Sequence, residues 1–123
     1  MSTTEHPELS VYQRTALARE ERRAQARAAR RQRGLEVARQ AAALLRDRYG
    51  ATRVVLFGSA ARGRGFGEGS DLDLAAEGIP AKAFWQAWAA LDTLDPTFEI
   101  NLVAFEEATP SLLAAIEAEG MEL

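Results

Sequence analysis

The sequence predicts a single α+β domain led by an extended N-terminal helix, and three observations predict it. Residues 11–49 contain no proline and one glycine, Gly34, among alanine, arginine, leucine and glutamate, which are strong helix formers. After Gly50 the apolar pattern changes from a helical to a strand-like period. Two more strand-like runs then alternate with two more helical stretches, in the order helix, strand, short helix and loop, strand, helix, strand, helix.

Each element has its own warrant. Residues 1–10 are a polar lead-in. In the first helix, Leu35, Ala38, Ala42, Leu45 and Tyr49 recur at helical spacing and should face a core. Between Arg19 and Arg33 alanine is the only apolar residue, so that half buries little and should project, with Gly34 marking a break and Gly50 the C-cap. Residues 1–34 are therefore expected to be a helical extension and 35–123 the domain. Arg53-Val54-Val55-Leu56-Phe57 reads as a buried strand ending at Gly58. A short helix is expected just after Ser59, then a mobile loop carrying Gly63, Gly65, Gly67 and Gly69. Asp71 to Ala75 alternates polar and apolar as a second strand, broken by Gly78-Ile79-Pro80. Ala81 to Leu91 should be a helix with Phe84, Trp85, Trp88 and Leu91 on its apolar side. Asp95-Pro96 turns into a third strand, Phe98 to Phe105. Pro110 to Glu119 is a closing helix with proline near its start and Gly120 at its end.

Charge divides the chain. Residues 1–50 hold eleven arginines against six acids, and the remainder four bases against twelve acids, for a net charge of -3. Such asymmetry suggests parts with different partners. The chain has no cysteine, which excludes disulfides and thiolate metal sites. It shows neither a secretory leader nor an apolar run of membrane-spanning length. A cytoplasmic protein without membrane contact is expected.

The chemistry concentrates in two segments. Asp71 and Asp73, two apart on a strand, project from one face, with Leu72 and Leu74 pointing to the core. Two carboxylates so close repel unless a cation lies between them. Hard oxygen ligands suit Mg²⁺, which binds through one or two carboxylates plus substrate phosphates. Alone, such a pair is far more often a polar strand edge. Gly58-Ser59, however, follows a buried strand and opens a helix, where free N–H groups and the helix dipole favour a phosphate. Gly58 permits close backbone approach, Ser59 adds a hydroxyl donor, and Arg62 and Arg64 add positive charge. A phosphate-binding turn feeding a paired-carboxylate strand is far more specific than either part.

The stretch VVLFGSAARGRGFGEGSDLDL resembles the core motif of the DNA polymerase β-type nucleotidyltransferases, and within them the minimal nucleotidyltransferases, the MNT antitoxins paired with HEPN toxins. The resemblance covers about residues 35–123. It implies a small mixed β-sheet with helices on one face. It also implies transfer of AMP from ATP, with Mg²⁺, to a protein hydroxyl, in the HEPN-paired group a tyrosine of the toxin. By the resemblance, Gly58, Ser59 and Arg62 bind nucleotide, and Asp71 and Asp73 hold metal. Two departures stand out. Eleven residues separate Ser59 from Asp71, one more than the commonest spacing in the family. The family's third carboxylate falls on Asn101, within Ile100-Asn101-Leu102-Val103; asparagine is a weak metal ligand and no general base. Asn101 itself, or Glu99 two residues earlier on the same strand face, is the candidate to complete the metal site with Asp71 and Asp73, and Glu99 is also the candidate to deprotonate the acceptor; Glu99 reads equally as a solvent-facing residue near the strand start. The alternative is a weak or inactive module that neutralises its partner by binding.

The arginines of the first helix lie on nearly every side, with Glu20 and Glu21 among them and no interleaved aromatics. A solvated helix or one docking an acidic protein fits better than a nucleic-acid interface. Trp85 and Trp88 are expected to pack in the core, since only an exposed pair would mark a partner surface. His6 is isolated in the lead-in. Self-association stays open.

Overall fold

The computed structural model describes residues 10–123; the lead-in up to residue 9, with His6, lies outside the described residues. Helix α1 runs from Val11 to Tyr49. Ser10 caps it reciprocally: the Gln13 N–H donates to its hydroxyl at 3.1 Å, and its own N–H donates to the Gln13 side chain at 2.8 Å. Gly50, at φ 80°, closes the helix in the left-handed conformation.

The expected break at Gly34 is absent. The helix is continuous there, and Gly34 marks its closest approach to the body. A Cβ on it would lie 3.2 Å from Leu72, 3.3 Å from Phe66 and 3.4 Å from Phe98. The glycine serves packing. From Gly34 onward, Leu35, Val37, Ala38, Ala41, Ala42 and Leu45 are buried, whereas no residue from Val11 to Ala29 is.

Four strands form one mixed sheet in the order β3-β2-β1-β4. They are β1 (Arg53–Phe57), β2 (Leu72–Glu77), β3 (Ile100–Ala104) and β4 (Met121–Glu122). β2 is antiparallel to β1 and parallel to β3, and β4 is antiparallel to β1. β2 begins and ends later than the expected strand, and β3 is shorter at both ends. β4 had no sequence signal, because two residues carry no periodicity.

Val54, Leu56, Leu72, Leu74, Ile100 and Leu102 point to one face and form the main core with α1 and with helix α3 (Phe84–Leu91). Each fully buried leucine there contributes about 1.5–3 kcal/mol. Helix α4 (Pro110–Glu119), capped by Thr109 with Pro110 in its first turn, covers part of the opposite face, where Ile116 packs on Val55 and Ala75. The helix expected from Ala81 begins as a 3-10 turn, Ala81–Ala83, and becomes α-helical only at Phe84. Ala87 and Leu91 face the core, and the Trp88 indole N–H donates to the Ile100 carbonyl at 2.8 Å. Trp85, expected inside, is 71% exposed and stacks on Trp88, centroids 5.4 Å apart. Among the described residues no helix is long and apolar enough to cross a membrane.

Candidate functional site

β1 delivers the chain directly into helix α2 (Ser59–Arg62) through Gly58, whose φ of 78° and ψ of -159° suit glycine alone. The first N–H groups of such a turn have no acceptor within the helix. Register then aligns the rest: Phe57 pairs with Asp73, and Asp73 with Asn101. One rung thus crosses the end of β1, the start of β2 and the start of β3, on the sheet face opposite the main core.

Contact across that rung is tight. A Cβ on Gly58 would come within 2.5 Å of Asp73 Oδ2, so the turn lies directly against that carboxylate. The Asn101 side-chain amide donates to Asp71 Oδ2 at 3.1 Å and to Asp73 Oδ1 at 3.3 Å. One amide therefore holds both acids toward one point. Burial, and next the neighbouring Asp71 charge, push the Asp73 carboxyl up, while the Asn101 hydrogen bond and Arg62 pull it down, and the net direction is upward. Two converging carboxylates, one of them costly to ionise, suit a divalent cation that also takes phosphate oxygens. Among the described residues no cluster of three acidic or histidine side chains could hold a metal.

The other expected residues are placed less centrally. Ser59 opens α2 beside Gly58. The Arg62 guanidinium pairs with Glu119 of α4 at 3.1 Å, yet its charge reaches Asp73. Glu99 is exposed and lines a shallow cleft of about 380 Å³ with Asp71, Arg30, Ser70 and Thr97. Expected on the face of the third strand, it instead falls one residue before β3 and outside the hydrogen-bonded Asp71–Asn101–Asp73 cluster.

The glycine-rich segment expected to be a mobile loop has anchors. Phe66 is buried and stacks on Phe98, and the Ser70 hydroxyl accepts from the Gly67 N–H at 2.9 Å. Arg30 Nε donates to the Gly67 carbonyl at 2.9 Å, and Arg31 Nε to the Ala60 carbonyl at 2.8 Å. Arg33 pairs with the buried Asp95 at 3.0 Å. Sequence reasoning passed over these three arginines, because within an arginine-rich helix nothing local separates a docked side chain from a solvated one.

No curated protein matches the chain. Among solved structures it is similar to a chain of a toxin–antitoxin MntA–HpeT mutant, with 25% identity over 69% of each chain and a TM-score of 0.58. A toxin–antitoxin structure with AMP-PNP matches at 25% identity over 66% of this chain and 67% of that one, TM-score 0.56. The tri-AMPylated Shewanella oneidensis HEPN toxin in complex with MNT antitoxin shares the fold, at 20% identity over 72% and 70% of the two chains and a TM-score of 0.56. The nucleotidyltransferase domain family model matches residues 38–114, more than half the chain and the whole of the turn, the acidic pair and Asn101, and the protein belongs to that family.

Proposed function

We propose that the protein transfers AMP from ATP to a hydroxyl, a tyrosine of a HEPN-type toxin, and so acts as an antitoxin. The observation that carries this reading is the direct contact between the Gly58 turn and the Asp73 carboxylate. Phosphates held at the turn would lie beside the carboxylate that would hold the ion. The similar structures named MntA–HpeT and toxin–antitoxin with AMP-PNP point to the same partner class and nucleotide.

In this reading Gly58 lets the phosphate chain approach the backbone, and Ser59 and the first-turn N–H groups donate to its oxygens. Arg62 adds positive charge beside the turn. Asp71 and Asp73 would hold Mg²⁺, with Asn101 keeping them converged. The ion, when bound, neutralises charge building on the phosphates. The acceptor hydroxyl oxygen attacks the α-phosphorus, the bond to the bridging oxygen of the β-phosphate breaks, and pyrophosphate leaves. Glu99, exposed at the mouth of the Asp71 cleft, takes the hydroxyl proton.

Asn101 favours a second reading. Its amide occupies the place of the expected third acid and already satisfies both carboxylates, an arrangement that also suits a protein neutralising its partner by masking it. Incubation with a HEPN-type partner, labelled ATP and Mg²⁺ separates the two. Label on the partner that disappears with Asp71→Asn or Asp73→Asn is expected. Neutralisation without label, persisting in both variants, overturns transfer in favour of masking.

A further inference from the structure

Residues 1–37 lie outside the matched family region, yet two adjacent arginines of α1 hold both halves of the candidate site. Arg31 Nε donates to the Ala60 carbonyl of α2 at 2.8 Å, and its guanidinium lies against Gly63, where a Cβ would be 3.5 Å away. Arg30 turns the other way. Its Nε donates to the Gly67 carbonyl at 2.9 Å, and one terminal nitrogen donates to the Ser70 carbonyl at 3.4 Å and the Thr97 carbonyl at 3.2 Å. The same guanidinium lies over the Phe98 ring, 4.2 Å from its centroid. Ser70 immediately precedes Asp71, and Thr97–Phe98 lead into the strand of Asn101.

We infer that Arg30 and Arg31 are positioning residues for nucleotide binding: from one rigid helix they fix the distance between the phosphate turn and the metal-binding acids. Both act through the backbone carbonyls they hold. Arg31 sets the turn helix, and Arg30 sets the segments entering β2 and β3. Consecutive helical residues point about 100° apart, which is why one helix grips both sides. The inference rests on the nucleotide reading above.

Their geometries differ, and that gives the test its discrimination. Arg31 makes one carbonyl bond, which a lysine ammonium can supply. Arg30 makes three and stacks on a ring, which a lysine cannot reproduce. Arg30→Ala, Arg30→Lys, Arg31→Ala and Arg31→Lys are compared for Mg²⁺-dependent binding of a non-hydrolysable ATP analogue by calorimetry. Melting temperature and amide hydrogen exchange are read on the same samples. Both alanine variants should bind about tenfold more weakly, the loss of a hydrogen bond or two. Arg31→Lys should recover most of the affinity and Arg30→Lys little. Exchange should quicken at 58–63 for Arg31→Ala and at 67–72 for Arg30→Ala.

Unchanged affinity in both alanine variants overturns the inference. So does an affinity loss that tracks melting temperature across all four variants without rescue by Arg31→Lys. If the wild-type protein fails to bind the analogue, the nucleotide reading falls on its own, and exchange decides the arginines' part: unchanged rates at both segments overturn it, and segment-specific quickening supports it.

Discussion

Asp73 is under opposing demands. Burial, and then repulsion from Asp71, raise its carboxyl above the ordinary 3.8, so the folded protein holds that proton more tightly than the unfolded chain does. The linked stability is present below pH 3.8 and is lost as pH rises through the elevated value. In EDTA, Asp73→Asn should therefore melt higher than wild type at neutral pH, with the gap closing toward pH 4, as followed by thermal denaturation across that range. Asn101→Asp should act oppositely. It removes two donors and adds a third negative charge, which costs the metal-free protein about 1–3 kcal/mol, while the rise in melting temperature on adding Mg²⁺ should exceed that of wild type. Gly58→Ala meets both a disallowed φ and the Asp73 oxygen. A loss of about 1–3 kcal/mol is expected, together with loss of Mg²⁺-dependent ATP binding by calorimetry. The acidic pair and the turn were legible because each sits in a short segment whose neighbours fix its direction: Leu72 and Leu74 go inward, so Asp71 and Asp73 go outward. That Asn101 bridges them was not legible, since strand register is a property of pairing and not of either strand alone.

Among the elements, α3 shows where periodicity misleads. Trp85 and Trp88 share helical spacing with Phe84 and Leu91, and all four read as one stripe. Each residue of α3 turns about 100°, which puts Trp85 roughly 120° round the helix from Leu91, so Trp88 reaches the Ile100 carbonyl while Trp85 turns outward beside an open groove that includes Ile79, Phe84 and Val103. Trp88→Ala should cost about 3–5 kcal/mol, whereas Trp85→Ala, which loses only its ring contacts with Trp88 and Phe84, should cost about 0.5–1.5 kcal/mol, both measured by urea denaturation. Gly34 teaches the same lesson for α1. A glycine inside a helical pattern signals either a break or a close approach, and only the facing residues, Leu72, Phe66 and Phe98, decide which. β1 was readable from its apolar, β-rich run, β2 from alternation and α4 from its proline start and glycine stop. The last strand was not, because Met121–Glu122 is placed by Val55 and Leu56 opposite it.

Across the whole molecule, α1 joins the body through its buried apolar face from Leu35 to Leu45 and through polar ties, one of which runs from the half-exposed Arg33 to the buried Asp95. Thr97 first, and Arg33 after it, hold the Asp95 carboxyl below its ordinary 3.8. Its contribution to stability is therefore present above that value and lost as pH falls below it. Asp95→Asn should lower stability at neutral pH and shrink the difference from wild type as acid titrates the carboxylate, seen as converging melting curves below pH 4. Deleting residues 1–23 should leave the melting temperature within about 2 °C of wild type, because none of the described residues removed, 10–23, is buried.

The uncovered stretch of α1 also governs how the molecule moves through water. At 1.5 Å per residue, a 39-residue rod is roughly 58 Å long, well over the reach of a sphere of equal mass. A single copy should tumble slowly and anisotropically and emerge early from a sizing column. Its 13.4 kDa mass must therefore be read by light scattering, since elution volume alone would misreport an elongated monomer as a dimer.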